Sequence, residues 1–160
     1  MLKEEILKIL EDNCFLSPED LAVMVASDAD TVKRILEEAK NDGTLLGYRA
    51  IINWDKADVN ETTALIELKI TPQHGKGFDA VAERIYQYPQ VESLYLLSGG
   101  FDMLVTVKEK SLKDVALFVS GTLATIEGVI STSTHFILKR YKDSDTVFTT
   151  KEKDNRQVIS

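Results

Sequence analysis

The 160-residue sequence holds one cysteine, Cys14, together with three prolines and two histidines. A lone thiol excludes an intrachain disulfide, so the fold must rest on apolar burial, and such a chain suits a reducing compartment, the cytoplasm. His74 and His135 lie far apart, with no HExxH, Cys/His or carboxylate spacing that would hold a metal, and no metal site is assigned. The run His74-Gly75-Lys76-Gly77 has the glycines and lysine of a phosphate loop without its spacing or its Ser/Thr, and reads as a surface turn. Long apolar runs are missing too. Near the start, Leu2, Ile6, Leu7, Ile9 and Leu10 are interleaved with Lys3, Glu4, Glu5, Lys8 and Glu11, unlike a signal peptide, and no segment reaches membrane-spanning length. Glu37 and Glu38, adjacent on a helix, point in different directions and read as a solvated face rather than a catalytic pair. No nucleophile and base are paired by spacing, so no catalytic residue and no cofactor is assigned.

Positive charge is also scarce: 19 Lys and Arg stand against 26 Asp and Glu, a net of -7. Affinity for a phosphate backbone comes largely from cations that displace counterions. Any contact with double-stranded DNA must therefore rest on a local patch, and non-specific binding should be weak. What the chain does have is 44% hydrophobic residues, enough for real cores, in a length that fits two small domains.

The first part reads as three helices. Leu2, Ile6, Leu7 and Leu10 make an apolar stripe over residues 2–12. Ser17 caps a second helix with Pro18 at its first position, Glu19 and Asp20 against its N-terminus, and Leu21, Ala22 and Val25 turned inward. After a break at Ala26 and Ser27, Asp28 caps a third helix whose inward positions are Val32, Ile35, Leu36 and Ala39, ending at Gly43. A tight turn before the third helix is the helix-turn-helix pattern, though a plain three-helix bundle shares it. Residues 45–52 read as a strand or wing, and 53–61 as a polar connector.

The second part reads in the order βαββαβ, a ferredoxin-like sandwich, which makes the chain α+β. Residues 63–70 alternate, with Ala64, Ile66, Leu68 and Ile70 on one face. A helix carrying Phe78, Val81, Ala82 and Ile85 stops before Pro89. A hairpin follows, its strands at 91–97 and 101–107 joined by Ser98-Gly99-Gly100, with Asp102 fixed at the sheet rim. A second helix uses Leu112, Val115, Ala116, Val119 and Leu123, and a last strand covers 129–140. Leu65, Leu94, Leu96, Leu104, Phe136 and Leu138 are expected on the helix-free face, an apolar patch that a second copy would cover. The boundaries follow: 1–53 helix-turn-helix domain, 54–61 linker, 62–145 ferredoxin-like domain and 146–160 tail. In that tail, Val147 and Phe148 are placed as a possible added edge strand, and the end, with Val158 and Ile159, is expected to be mobile.

Several of these runs together resemble the Lrp/AsnC family of prokaryotic transcription regulators. The matching residues are Asp28 to Gly43 with Thr31, Val32 and Leu36; Gly47-Tyr48-Arg49-Ala50; Ser98-Gly99-Gly100-Phe101-Asp102; and Glu127-Gly128-Val129 followed by Thr132 and Thr134. The resemblance implies an N-terminal DNA-binding domain, a ligand-sensing domain that dimerises through its sheet, and higher-order assembly with small effectors, typically amino acids, near the glycine-rich hairpin. It makes Thr31, Lys33, Arg34, Lys40 and Arg49 the expected DNA contacts. Ser98, Gly99, Gly100, Asp102, Thr132 and Thr134 become the expected effector site. Where the family commonly has an arginine in the recognition helix this chain has Ile35, beside Glu37 and Glu38, with Asp28 and Asp30 at the helix start. Two other functions fit the same architecture. One is a sirohaem decarboxylase, for which residues 45–61 offer only Arg49 and Lys56 where a basic, histidine-bearing run is expected; the other is a stand-alone sensor that no longer binds DNA.

Overall fold

Two amphipathic stripes and two side-chain caps are enough to build the N-terminal unit, because each helix hides one face against the other two. The computed structural model describes residues 1–57, 59, 61–72 and 77–148. It divides into two compact units, Met1–Ile51 and Ile52–Ser160. In the first, α1 (Leu2–Asp12) buries Ile6 and Leu10, α2 (Pro18–Met24) buries Leu21 and Ala22, and α3 (Ala29–Asn41) buries Val32, Ile35, Leu36 and Ala39. The start of α2 is a capping box: Ser17 Oγ accepts from the Asp20 amide at 3.1 Å, and Asp20 Oδ2 accepts from the Ser17 amide at 3.1 Å. Asp28 Oδ1 accepts from the Thr31 amide at 2.8 Å and so fixes where α3 begins. Between α2 and α3 the chain turns through Ala26 at φ 49°, with the Ser27 amide donating to the Ala22 carbonyl at 2.9 Å. That is a helix-terminating turn usually given to glycine.

The expected wing does not form: residues 45–53 contain no strand. A strand needs a ladder partner, and a unit of helices offers none; the Leu45 amide instead donates to the Ala39 carbonyl at 2.8 Å, closing the end of α3.

The second unit is a four-stranded antiparallel sheet in the order β2-β3-β1-β4, formed by β1 (Thr62–Ile70), β2 (Val91–Leu96), β3 (Met103–Glu109) and β4 (Val129–Phe136). Helices α4 (Asp79–Ile85) and α5 (Leu112–Gly121) cover one face. Ala64, Ile66, Leu68 and Ile70 alternate into the core, met by Met103, Val105 and Val107 from β3 and by Val81, Ile85, Val115, Phe118, Val119 and Leu123. Two positions of α5 depart from expectation: Leu112 and Ala116 are exposed, and Phe118 takes the buried place, edge-on to Tyr88 at 5.6 Å. The inward stripe of α5 is therefore Val115, Phe118 and Val119, at i, i+3 and i+4.

Register overturns the expected apolar patch. Residues directly opposite in an antiparallel pair share a face. Leu94 lies opposite Val105, Leu96 opposite Met103 and Phe136 opposite Ala64, all on the helix-covered side, and Leu94 and Phe136 pack against the core. A bulge between Val91 and Ser93 shifts β2 by one residue, which is what moves its leucines across. The open face keeps Leu65 and Leu104 among Thr63, Glu67, Lys69, Thr106, Ser131, Ser133 and His135. Leu138 lies beyond β4, which ends at Phe136 rather than Arg140. In the tail, Thr146–Val147 (β6) pairs with Lys142–Asp143 (β5) across a two-residue turn, and adds no edge to the main sheet. The turn 74–76 and the end of the tail with Val158 and Ile159 lie outside the described residues.

Candidate nucleic-acid and effector sites

On α3 the burial of Val32, Ile35, Leu36 and Ala39 turns Lys33, Arg34, Glu37, Glu38 and Lys40 to solvent. Lys33 and Arg34 are the two expected phosphate contacts nearest the start of the helix, and both are engaged within the chain. Lys33 Nζ lies 2.8 Å from Glu19 Oε1 on α2, and Arg34 Nη1 lies 2.8 Å from Glu38 Oε1 one turn along α3. The Lys33 ammonium holds the Glu19 carboxyl below its ordinary range, and Glu19 in turn raises the lysine. Lys40 stands over the Tyr48 ring at 5.7 Å. Thr31 is half-buried at the capped end of α3, where its hydroxyl and amide hold Asp28 below the usual carboxylate range. Arg49 sits in the irregular segment after α3. The Arg34–Glu38 pair was visible in the sequence at i, i+4, but the Glu19–Lys33 pair joins two helices and had no local signal.

At the other candidate site, the hairpin between β2 and β3 closes where the Leu97 amide donates to the Asp102 carbonyl at 2.8 Å. Gly99, at φ 156°, occupies a conformation that side chains rarely adopt, and a Cβ there would meet nothing within 4 Å. Asp102 does more than end the turn. Its amide donates to the Leu68 carbonyl at 2.9 Å and its Oδ2 accepts from the Ile70 amide at 2.7 Å, so one side chain extends the ladder to the end of β1. Thr132 and Thr134 lie elsewhere. They pair with Leu68 and Ile66 on the helix-covered side of β4, and β1 stands between them and the hairpin. Two strand spacings, about 10 Å, separate Thr132 from Met103. The structure thus brings Ser98, Gly99, Gly100 and Asp102 together and does not bring the threonines to them within one chain. A hollow of about 370 Å³ between α4 and β2, lined by Phe78, Ala82, Tyr86, Leu94, Leu96 and Met103 among others, includes none of these six residues.

The open sheet face places Ser133 Oγ and Glu67 Oε1 each 3.3 Å from His135 Nε2. A serine-histidine-acid relay needs the two partners on different ring nitrogens. Here both meet the same one, which makes the trio a surface polar cluster. Among the described residues no group of His, Cys, Asp and Glu is arranged to hold a metal, and no helix is long and apolar enough to cross a membrane.

Comparison with known proteins accords with this arrangement. The family described as the Lrp/AsnC ligand binding domain matches residues 63–147. An uncharacterised HTH-type transcriptional regulator of Bacillus subtilis, YugG, is 45% identical over 157 residues, covering 98% of this chain and 95% of the relative. Among solved structures, the Neisseria meningitidis transcriptional regulator NMB0573 in complex with L-Met superposes with a TM-score of 0.68 at 23% identity, over 89% of this chain and 91% of that one. The leucine response regulatory protein of Mycobacterium tuberculosis gives a TM-score of 0.75 at 18% identity, over 92% and 98%. A helix-turn-helix unit joined to a sheet unit that matches this ligand-binding family over its whole four-stranded core, with regulators rather than enzymes as relatives, leads to one conclusion: the chain belongs to the Lrp/AsnC family of transcriptional regulators.

Proposed function

We propose that this regulator binds double-stranded DNA through α3, with Thr31 at the base edges and Lys33, Arg34, Lys40 and Arg49 toward the phosphates, and that its second unit senses a small amino-acid-like effector. The observation that carries the DNA reading is the capped α2-turn-α3 unit. Asp28 fixes the start of α3 while its buried stripe forces Lys33 and Arg34 outward together. Changing Lys33→Ala with Arg34→Ala should lower affinity for the DNA upstream of the protein's own gene by at least about tenfold, since it removes two charge-assisted phosphate contacts. Unchanged affinity in that variant rules out this face of α3.

The effector reading places the ligand at the Ser98–Asp102 hairpin. An α-carboxylate needs donors, and the amides of Gly99 and Gly100 make no backbone hydrogen bond among the described residues. An α-amino group needs an acceptor, and Asp102 has Oδ1 to offer while Oδ2 is held by Ile70. The L-Met bound to the Neisseria relative supports the ligand class. Thr132 and Thr134 join this site only from a second copy, which ties sensing to self-association into a homodimer and larger assemblies. With Leu94 and Phe136 packed against the core, support for self-association moves to Tyr95, Leu96 and Leu97, all exposed beside the hairpin. Calorimetry with each of the twenty amino acids tests the site. Binding that persists unchanged in a folded Gly100→Gln variant excludes it, and sedimentation showing only a monomer of 17.9 kDa at micromolar concentration excludes the shared arrangement.

The ion pairs of Lys33 and Arg34 favour one second reading, a sensor that has lost DNA binding. The same upstream fragment decides it, since that reading requires no retention even at low salt.

A further inference from the structure

We infer that Glu19 and Glu38 set the strength and salt dependence of DNA binding by this regulator, each holding one of the two leading cations of α3 in an ion pair that a DNA phosphate must displace. This rests on the DNA reading above. The geometry is one-to-one: Glu19 with Lys33, Glu38 with Arg34, each at 2.8 Å. The pairs differ in origin, one bridging α2 to α3 and one running along α3, yet they neutralise neighbouring residues on one exposed surface. Their side chains are between 48% and 63% exposed, open enough to exchange partners when a phosphate arrives. Asp30 also faces Lys33 and adds to its negative surroundings. Residues 17–43 hold seven carboxylates against three bases, so this stretch is net acidic.

The consequence follows from how proteins bind random DNA. That affinity scales with the net positive charge delivered to the backbone, and log K falls with log salt by about 0.9 for each phosphate neutralised. A lysine already balanced by a carboxylate delivers almost none. On a random sequence the phosphates alone must drive the exchange, and binding is weak. On its operator, base-edge contacts from the start of α3 hold the helix in the groove long enough for phosphates to take the cations. The two acids thus lower affinity for random and operator DNA alike, and operator binding survives because base contacts add to it.

The test replaces both acids by their isosteres, Glu19→Gln with Glu38→Gln, in the full chain. Neither residue makes the helix caps, which use Ser17 with Asp20 and Asp28, so α2 and α3 keep their starts. Fluorescence anisotropy measures binding to the upstream duplex and to a random duplex of equal length between 50 and 200 mM salt. The expected result is at least about a tenfold gain on the random duplex at the lowest salt. The salt slope should steepen by nearly 2, about 0.9 for each released cation. Glu5→Gln with Glu37→Gln removes as much charge from residues that form no ion pair among the described residues, and should give less than a third of that gain. An equal gain from that control, or an unchanged slope in Glu19→Gln with Glu38→Gln while the parent binds, overturns the inference and leaves the DNA reading standing. Absence of binding by both parent and variant at 50 mM salt overturns both. The single variants Glu19→Gln and Glu38→Gln report each pair separately if the double one unfolds.

Discussion

Asp102 ties the hairpin to the end of β1, and removal of that bond should be measurable. Its Oδ2 accepts from the Ile70 amide at 2.7 Å, and Ile70 is only 4% exposed, so water cannot replace the lost acceptor. Asp102→Ala removes a hydrogen bond to a charged group and strands a buried donor, a loss of about 2 kcal/mol. The single tryptophan makes a convenient reporter, because Trp54 belongs to this unit and lies under Lys108 of β3 at 5.3 Å. With a urea dependence of about 2 kcal/mol/M, the fluorescence midpoint should fall by about 1 M. The melting temperature should fall by roughly 10 °C. Asp102→Asn keeps an acceptor oxygen at the same place and should lose less than half as much. A midpoint for Asp102→Ala within about 0.2 M of the parent refutes the bracing role, given the m-value used. Equal losses in both variants mean that the charge, not the acceptor, holds β1. The Asn variant also separates the two roles of this residue, since it leaves the brace and removes the anion that an effector ammonium would meet.

Ala26→Gly should stabilise the first unit by about 0.5–1 kcal/mol, because alanine at φ 49° bears a left-handed penalty that glycine escapes at some entropic cost; far-UV thermal melts of the full chain read it. Gly128→Ala should cost about 2–4 kcal/mol: its φ is 97°, and the new Cβ would sit 3.1 Å from Val81 Cγ2 and 3.3 Å from the Thr71 carbonyl, so the Trp54 midpoint in urea should drop sharply. The Lys3 ammonium, with help from Thr44, lowers the Asp42 carboxyl from 3.8 to about 2. A lowered carboxyl stabilises the fold above its unfolded value and loses that contribution as pH falls through its folded one, so helical melts should decline as pH drops from about 4 to 2. Asp42→Asn should flatten that decline.

Local chemistry was legible wherever one element decides its own fate. The stripes of α1 and α3, Ser17 and Asp28 as caps, and the alternation of Ala64, Ile66, Leu68 and Ile70 need only a helix or strand with one side in water, and the sequence spells that out. The same reading located the hairpin and Asp102, because a glycine pair between two apolar runs is itself a turn. It failed where two elements had to agree. One extra residue in β2 moved Leu94 and Leu96 to the helix-covered side, and pairing of β4 with β1 moved Phe136 there. The break at Ala26 was legible but its left-handed backbone was not, because alanine does not advertise that conformation, and the wing at 45–52 failed for want of a partner strand. The electrostatics divide the same way. Sequence alone determined that the helix-turn-helix unit is acidic and which cations it has; only tertiary structure decided that Glu19 reaches Lys33 across two helices and that Asp102 braces β1, because a pair's energy depends on distance in space and not along the chain.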